Sequence, residues 1–144
     1  AIEMIRRRQR PYLGEGMFRY YDTPEAFDIK KAACTQALDL VHDLPADFAL
    51  ETTVVQTYID LAHRIWQVAE LLATSMLNDP EDQTSMRGYL AALRQAGVAN
   101  IEAIRAWRGH LGPEPWHYRV HDALKSSERT VDEICRFVEE RYLF

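Results

Sequence analysis

Cysteine is scarce in this chain of 144 residues: Cys34 and Cys135 are its only two. Two thiols do not make a disulfide framework. Both fall on apolar faces of predicted helices, where cysteine behaves as a small hydrophobe. Long apolar runs are also missing. None nears the ~18 residues of a membrane span, and no signal peptide is visible, so a cytoplasmic, reducing location is expected. Basic residues are outnumbered, 17 Lys and Arg against 22 Asp and Glu. Residues 1–10 hold Arg6, Arg7, Arg8 and Arg10 against Glu3, a local charge of +3, and the net −5 therefore leaves −8 on the remainder. An acidic body lacks the Lys/Arg face that a phosphate backbone requires. Nucleic acid and membrane are accordingly not expected partners, and the basic tip reads as a solvated terminus.

Several chemical signatures are absent. There is no His-Glu-x-x-His, no paired Glu-x-x-His of a di-iron bundle and no cysteine cluster. No serine sits in a Gly-x-Ser-x-Gly elbow. Gly14-Glu15-Gly16 is a short joint, not a phosphate loop. No c-type haem attachment sequence occurs. No cofactor is expected, and no catalytic residue is assigned outright. Strand signals, internal repeats and low-complexity segments are likewise missing.

What remains is a helical pattern at the size of one domain, 47% hydrophobic, which can bury roughly 70% of its unfolded surface without staples. Residues 1–22 form a basic and aromatic N-terminal arm. Its Leu13, Met17, Phe18, Tyr20 and Tyr21 are costly to leave in water and are expected to pack on the domain or on another subunit. Residues 23–144 form the helical domain. Thr23 and Pro24 open a first helix with Phe27, Cys34, Leu38 and Val41 on one face, ended by Pro45. A second helix, about 50–78, carries Val55, Tyr58, Ala62, Ile65, Ala69, Leu72 and Met76 in steps of three and four. Asp60, His63, Arg64, Gln67, Glu70 and Thr74 occupy its one polar face. So apolar a helix is expected to be central to the bundle or to form a dimer seam. Asp79-Pro80 opens a third helix, expected to stop at Gly97 as a C′ glycine. Asn100 caps a short fourth with Ile101, Ile104, Trp107 and Leu111. A fifth starts near residues 113–115, and Ser126-Ser127 either breaks it into two or lies within one helix of about 28 residues. The expectation is an all-α bundle of five to six helices.

The stretch RAWRGHLGPEPWHYRVH, from Arg105 to His121, concentrates the chemistry. Arg105 and His110 form Arg-x4-His, which resembles the signature of HEPN-type ribonucleases, small helical dimers that cleave RNA at their seam. That resemblance implies His110 as proton carrier and Arg105 as stabiliser of phosphorane charge. It covers six residues, and Ala106 stands where a polar residue commonly follows the arginine. Five residues on a regular helix also set the two side chains about 140° apart, so they converge only if Gly109 ends the helix. His117 and His121, four apart, have the spacing of a helical metal pair. With His110 they make the alternative of a metal or cofactor sensor. The third option is an interface. Trp107, Arg108, Trp116 and Tyr118 are the residue types that anchor protein contacts.

The expected function is that of a non-enzymatic regulatory protein. It would occlude a surface of another protein, such as a transcription regulator or a toxin, in the manner of sequestering, immunity or chaperone-like proteins. It would self-associate as a homodimer through the second or the C-terminal helix, and its acidic body would steer a basic partner.

Overall fold

The computed structural model of the chain describes residues 23–111 and 117–144. The arm expected over 1–22, and Trp116, lie outside the described residues. The described residues form four α-helices and no strand: α1 (Pro24–Val41), α2 (Ala46–Thr74), α3 (Pro80–Leu111) and α4 (His117–Tyr142). No helix among them is long and apolar enough to cross a membrane.

Where five to six helices were expected, the described residues hold four, and the reason lies chiefly in two residues. Gly97 was expected to end a helix, yet α3 runs through it for 32 residues. A Cβ at position 97 would meet Val131 Cγ2 of α4 at 3.2 Å. The glycine is there for close approach of two helices and not for a left-handed cap. Asn100, expected to cap the next helix, is fully buried within α3. Its side-chain amide donates to Thr57 Oγ1 (2.9 Å) and to the Val54 carbonyl (3.3 Å) of α2. A buried amide has to be satisfied, and a neighbouring helix does it as well as a cap does. Ser126 and Ser127 do not interrupt α4; Thr130 Oγ1 instead bonds back to the Ser126 carbonyl inside the helix.

Local rules hold better at the first two helices. Thr23 Oγ1 accepts the Ala26 N–H at 3.2 Å, and Pro24 follows it at the first helical position. Pro45 does not terminate α1, which ends at Val41; it stands at the N-cap of α2. α2 spans 46–74 rather than 50–78, because Ser75 turns to extended backbone and donates to the Leu71 carbonyl. Met76, assigned to the stripe of α2, therefore falls in the connection and is exposed. Leu77 follows with φ 55° and a buried side chain. Its carbonyl accepts from Gln83 Nε2, which also bonds the Tyr142 carbonyl and so ties this turn to the end of α4.

The principal packing runs between neighbours in sequence: α1 on α2, α2 on α3, α3 on α4. The result is an open row of antiparallel helices. Its main core is built from Leu61, Ile65 and Val68 of α2, Met86, Leu90 and Leu93 of α3, and Ile134, Cys135 and Val138 of α4. Each large apolar side chain buried there contributes about 1.5–3 kcal/mol. α1 adds only Phe27 and Cys34 as buried residues. A second, smaller cluster of Ile101, Ile104 and Leu124, with Val54 and Val120 against it, lies beyond Asn100. It sits toward the end where α1 and α3 finish and α2 and α4 begin.

Candidate functional site

The end of α3 carries the sequence-assigned residues, and the structure separates them. α3 continues through Gly109 to Leu111, so Arg105 and His110 diverge by about 140° around the helix. Both are exposed. The structure does not bring them together. His121 is exposed on α4, and His117 opens that helix, while the side chains of His117 and Tyr118 lie outside the described residues. Among the described residues no three of His, Cys, Asp and Glu are grouped to hold a metal ion.

Trp107 and Arg108 differ from their neighbours. Arg108 shares a helix face with Ile101 and Ile104, seven and four residues before it, and that face meets Leu124 and Val54. It is only 5% exposed. Its Nε, Nη1 and Nη2 are all buried with no hydrogen-bond partner among the described residues, and so is the indole Nε1 of half-buried Trp107. The antiparallel register is fixed by the Asn100–Val54 bond. Two turns further on, Arg108 is level with the first turn of α2, where Phe48 is exposed.

A second cluster was invisible in the sequence. The Lys31 ammonium of α1 donates to His63 Nδ1 of α2 at 2.7 Å and pairs with Asp60 at 3.2 Å, while Arg64 pairs with the same carboxylate at 3.4 Å. The His63 ring stacks on Phe27 with centroids 4.6 Å apart, and Trp66 tilts against both. Burial pushes the imidazole below its ordinary value; the Lys31 and Arg64 charges add to this, against Asp60 and Asp28. A neutral ring accepting at Nδ1 carries its proton on Nε2. The arrangement docks α1 onto the face of α2 that the sequence assigns to water: Asp60, His63, Arg64, Gln67 and Glu70 are all half-buried. Only the Asp60/Arg64 pair, four apart, was legible beforehand.

An open cleft of about 330 Å³ between α3 and the end of α4 is lined by Arg87, Leu90, Ala91, Arg94, Glu139 and Phe144, among others. Its cations are engaged. Arg94 is bidentate on Glu139 (2.8 and 2.9 Å), and Arg87 donates to the Phe144 carbonyl. The pairing holds the Glu139 carboxyl below its usual range.

No protein-family model, no curated protein and no solved structure matches the chain.

Proposed function

We propose that the chain is a protein-binding module that occludes an apolar surface of its partner. It would do so with the end of the row where α1 finishes and α2 begins. One observation carries this reading. Leu40, Leu44 and Phe48, 78%, 50% and 47% exposed, follow one another around that corner. Val55 continues the flank of Phe48 two turns along α2 and is also exposed. Scattered exposed apolar residues are ordinary, whereas large ones gathered at one corner mark a contact surface. Such a surface supplies the apolar centre of an interface, and Trp107 and Arg108 at the same end supply residue types that dominate binding energy. A sequestering regulator, an immunity protein or a chaperone would use it in the same way.

The test is capture from native lysate by the wild-type chain and by Leu40→Glu/Phe48→Glu in parallel, with the circular dichroism of both compared first. Both positions are exposed, so the fold should survive. A protein held in stoichiometric amount by the wild type and lost by the variant supports the reading. Identical captured sets would end it. Sedimentation equilibrium of the two chains shows whether a second copy occupies the surface, as the homodimer reading requires.

A further inference from the structure

Arg108 presents a guanidinium whose five N–H donors are out of water and unanswered among the described residues. Removing an arginine from water costs several kcal/mol unless an acceptor of opposite charge replaces the lost hydration. The other arginines of the described core are accounted for differently: Arg64 bonds Gln67 at 3.2 Å and pairs with Asp60, and Arg94 holds Glu139. Within the described core Arg108 alone leaves every nitrogen of a charged group unsatisfied. What the site lacks is a negatively charged, acceptor-only group.

We propose that the Arg108 guanidinium is a binding site for a carboxylate. The planar fork of an arginine matches the two oxygens of a carboxylate, giving two parallel charge-assisted bonds. Phosphate is the weaker fit for two reasons. Arg108 lies in the last turn of α3, where the free carbonyls of a helix end repel a dianion, whereas phosphate sites favour helix N-termini. The chain also carries a net charge of −5, and a single arginine does not offset a dianion within that field. Two sources share this chemistry, a small free carboxylate and an acidic side chain. The second rests on the protein-binding reading above: the partner that covers Leu40 and Phe48 would insert an Asp or Glu toward Arg108.

The experiment uses the full chain without a partner. Melting temperatures of the wild type and Arg108→Met are measured in chloride, acetate and inorganic phosphate at matched ionic strength, and in N-acetylglutamate amide as the side-chain probe. The Arg108 Nε–H resonance of the wild type is followed in parallel. In the wild type the melting temperature is expected to rise by about 4 °C at acetate ten-fold above its dissociation constant, with saturable movement of the Nε–H signal. Arg108→Met should show no acetate response and should melt no lower than the wild type in chloride, because it removes an unpaired charge. A response to acetate alone identifies a small free ligand, and an added, tighter response to the glutamate probe identifies the acidic side chain. Equal responses of both proteins, a response to phosphate only, or an unmoved Nε–H signal would overturn the proposal. So would an Arg108→Met chain that fails to fold, since the guanidinium would then have a partner within the chain. None of these outcomes touches the Leu40/Phe48 test, so the two readings fail separately.

Discussion

Gly97 of α3 lies so close to Val131 of α4 that a methyl group on the glycine would sit 3.2 Å from Val131 Cγ2. Two effects of similar size then oppose each other at this position. Alanine in place of glycine within a helix gains up to ~1 kcal/mol of backbone entropy. Against that, Val131 is β-branched and stiff at χ1, so the helices themselves must part. Gly97→Ala is expected to gain little or to destabilise, and Gly97→Leu to cost at least ~2 kcal/mol by overpacking. Gly88 provides the control, because nothing lies within 4 Å of its missing Cβ; Gly88→Ala should stabilise by roughly 0.5–1 kcal/mol. In a Val131→Ala background Gly97→Ala should become stabilising as well. Urea denaturation of the four chains gives the cycle, and a Gly97→Ala gain equal to that of Gly88→Ala in the wild-type background would refute the close-approach account.

The docking of α1 on α2 depends on the charge of His63. Its imidazole is held below the ordinary value of about 6.5, first by burial and then by the Lys31 and Arg64 cations, against Asp60 and Asp28. The folded chain therefore binds fewer protons than the unfolded chain in the interval between the lowered value and about 6.5. Stability from this group is complete above that interval and is lost as pH falls through the folded value. Protonation also places a second cation 2.7 Å from the Lys31 ammonium. Melting curves between about pH 8 and pH 5 should show a decline that His63→Gln removes, and an NMR titration of the ring should move upward in Lys31→Met. An unchanged pH slope in His63→Gln would show that other groups carry it.

How far this architecture can be read from the sequence follows from where each constraint lies. Thr23-Pro24 and the middle of the apolar stripe of α2, Ala62, Ile65 and Ala69, are local and legible, whereas Val55 and Met76, assigned to the same stripe, are exposed. The same local rules make Gly97 and Asn100 a cap pair, because glycine and asparagine serve helix ends and helix interiors alike. Their role is decided by Val131, Thr57 and Val54, which no window of sequence places beside them. His63 shows the same failure on α2, since a polar stripe reads as solvated until a lysine and a phenylalanine from another helix cover it. Composition alone marks Arg108 as an anchor. Its burial was readable in principle, because it continues the Ile101–Ile104 face by a step of four, yet an arginine in a terminal turn is more naturally assigned to the surface. The Arg105–His110 spacing carried its own objection, and the continuous helix sustains it.

Asn100 separates the main core from the smaller cluster of Ile101, Ile104 and Leu124. It is fully buried and bonds across to α2 at Thr57 and Val54. Asn100→Ala leaves a small cavity and removes a buried hydrogen bond to the Thr57 hydroxyl, which itself still donates to the Thr53 carbonyl. The expected loss is about 2–3 kcal/mol. Thr57→Val should cost less, and the double variant should lose less than the sum of the two, with a coupling of at least ~0.5 kcal/mol. Strict additivity in chemical denaturation would mean that the bond contributes nothing to the packing of α2 on α3.

The open row of helices predicts two different thiol reactivities. Burial pushes the Cys135 thiol up to about 11, partly offset by the Arg94 cation. Its Sγ lies among the main core residues, 4.0 Å from the Leu90 carbonyl. At neutral pH almost none of it is thiolate, and thiolate is the reactive form. Cys34 is also raised by burial but sits on α1, which packs chiefly on α2 and contributes just one other buried side chain, Phe27. Few buried apolar contacts mean a low free energy of local opening. Reaction with an aromatic disulfide reagent should therefore be biphasic. Cys34 is modified first, through undocking of α1, with a weak dependence on urea. Cys135 follows at the rate of global unfolding, with the full urea dependence. Cys34→Ser and Cys135→Ser assign the phases. Acidification should speed the release of Cys34 once its rate is corrected for thiolate content, because it protonates His63 against Lys31. A single phase for both thiols with one urea slope would show that α1 leaves only when the whole row comes apart.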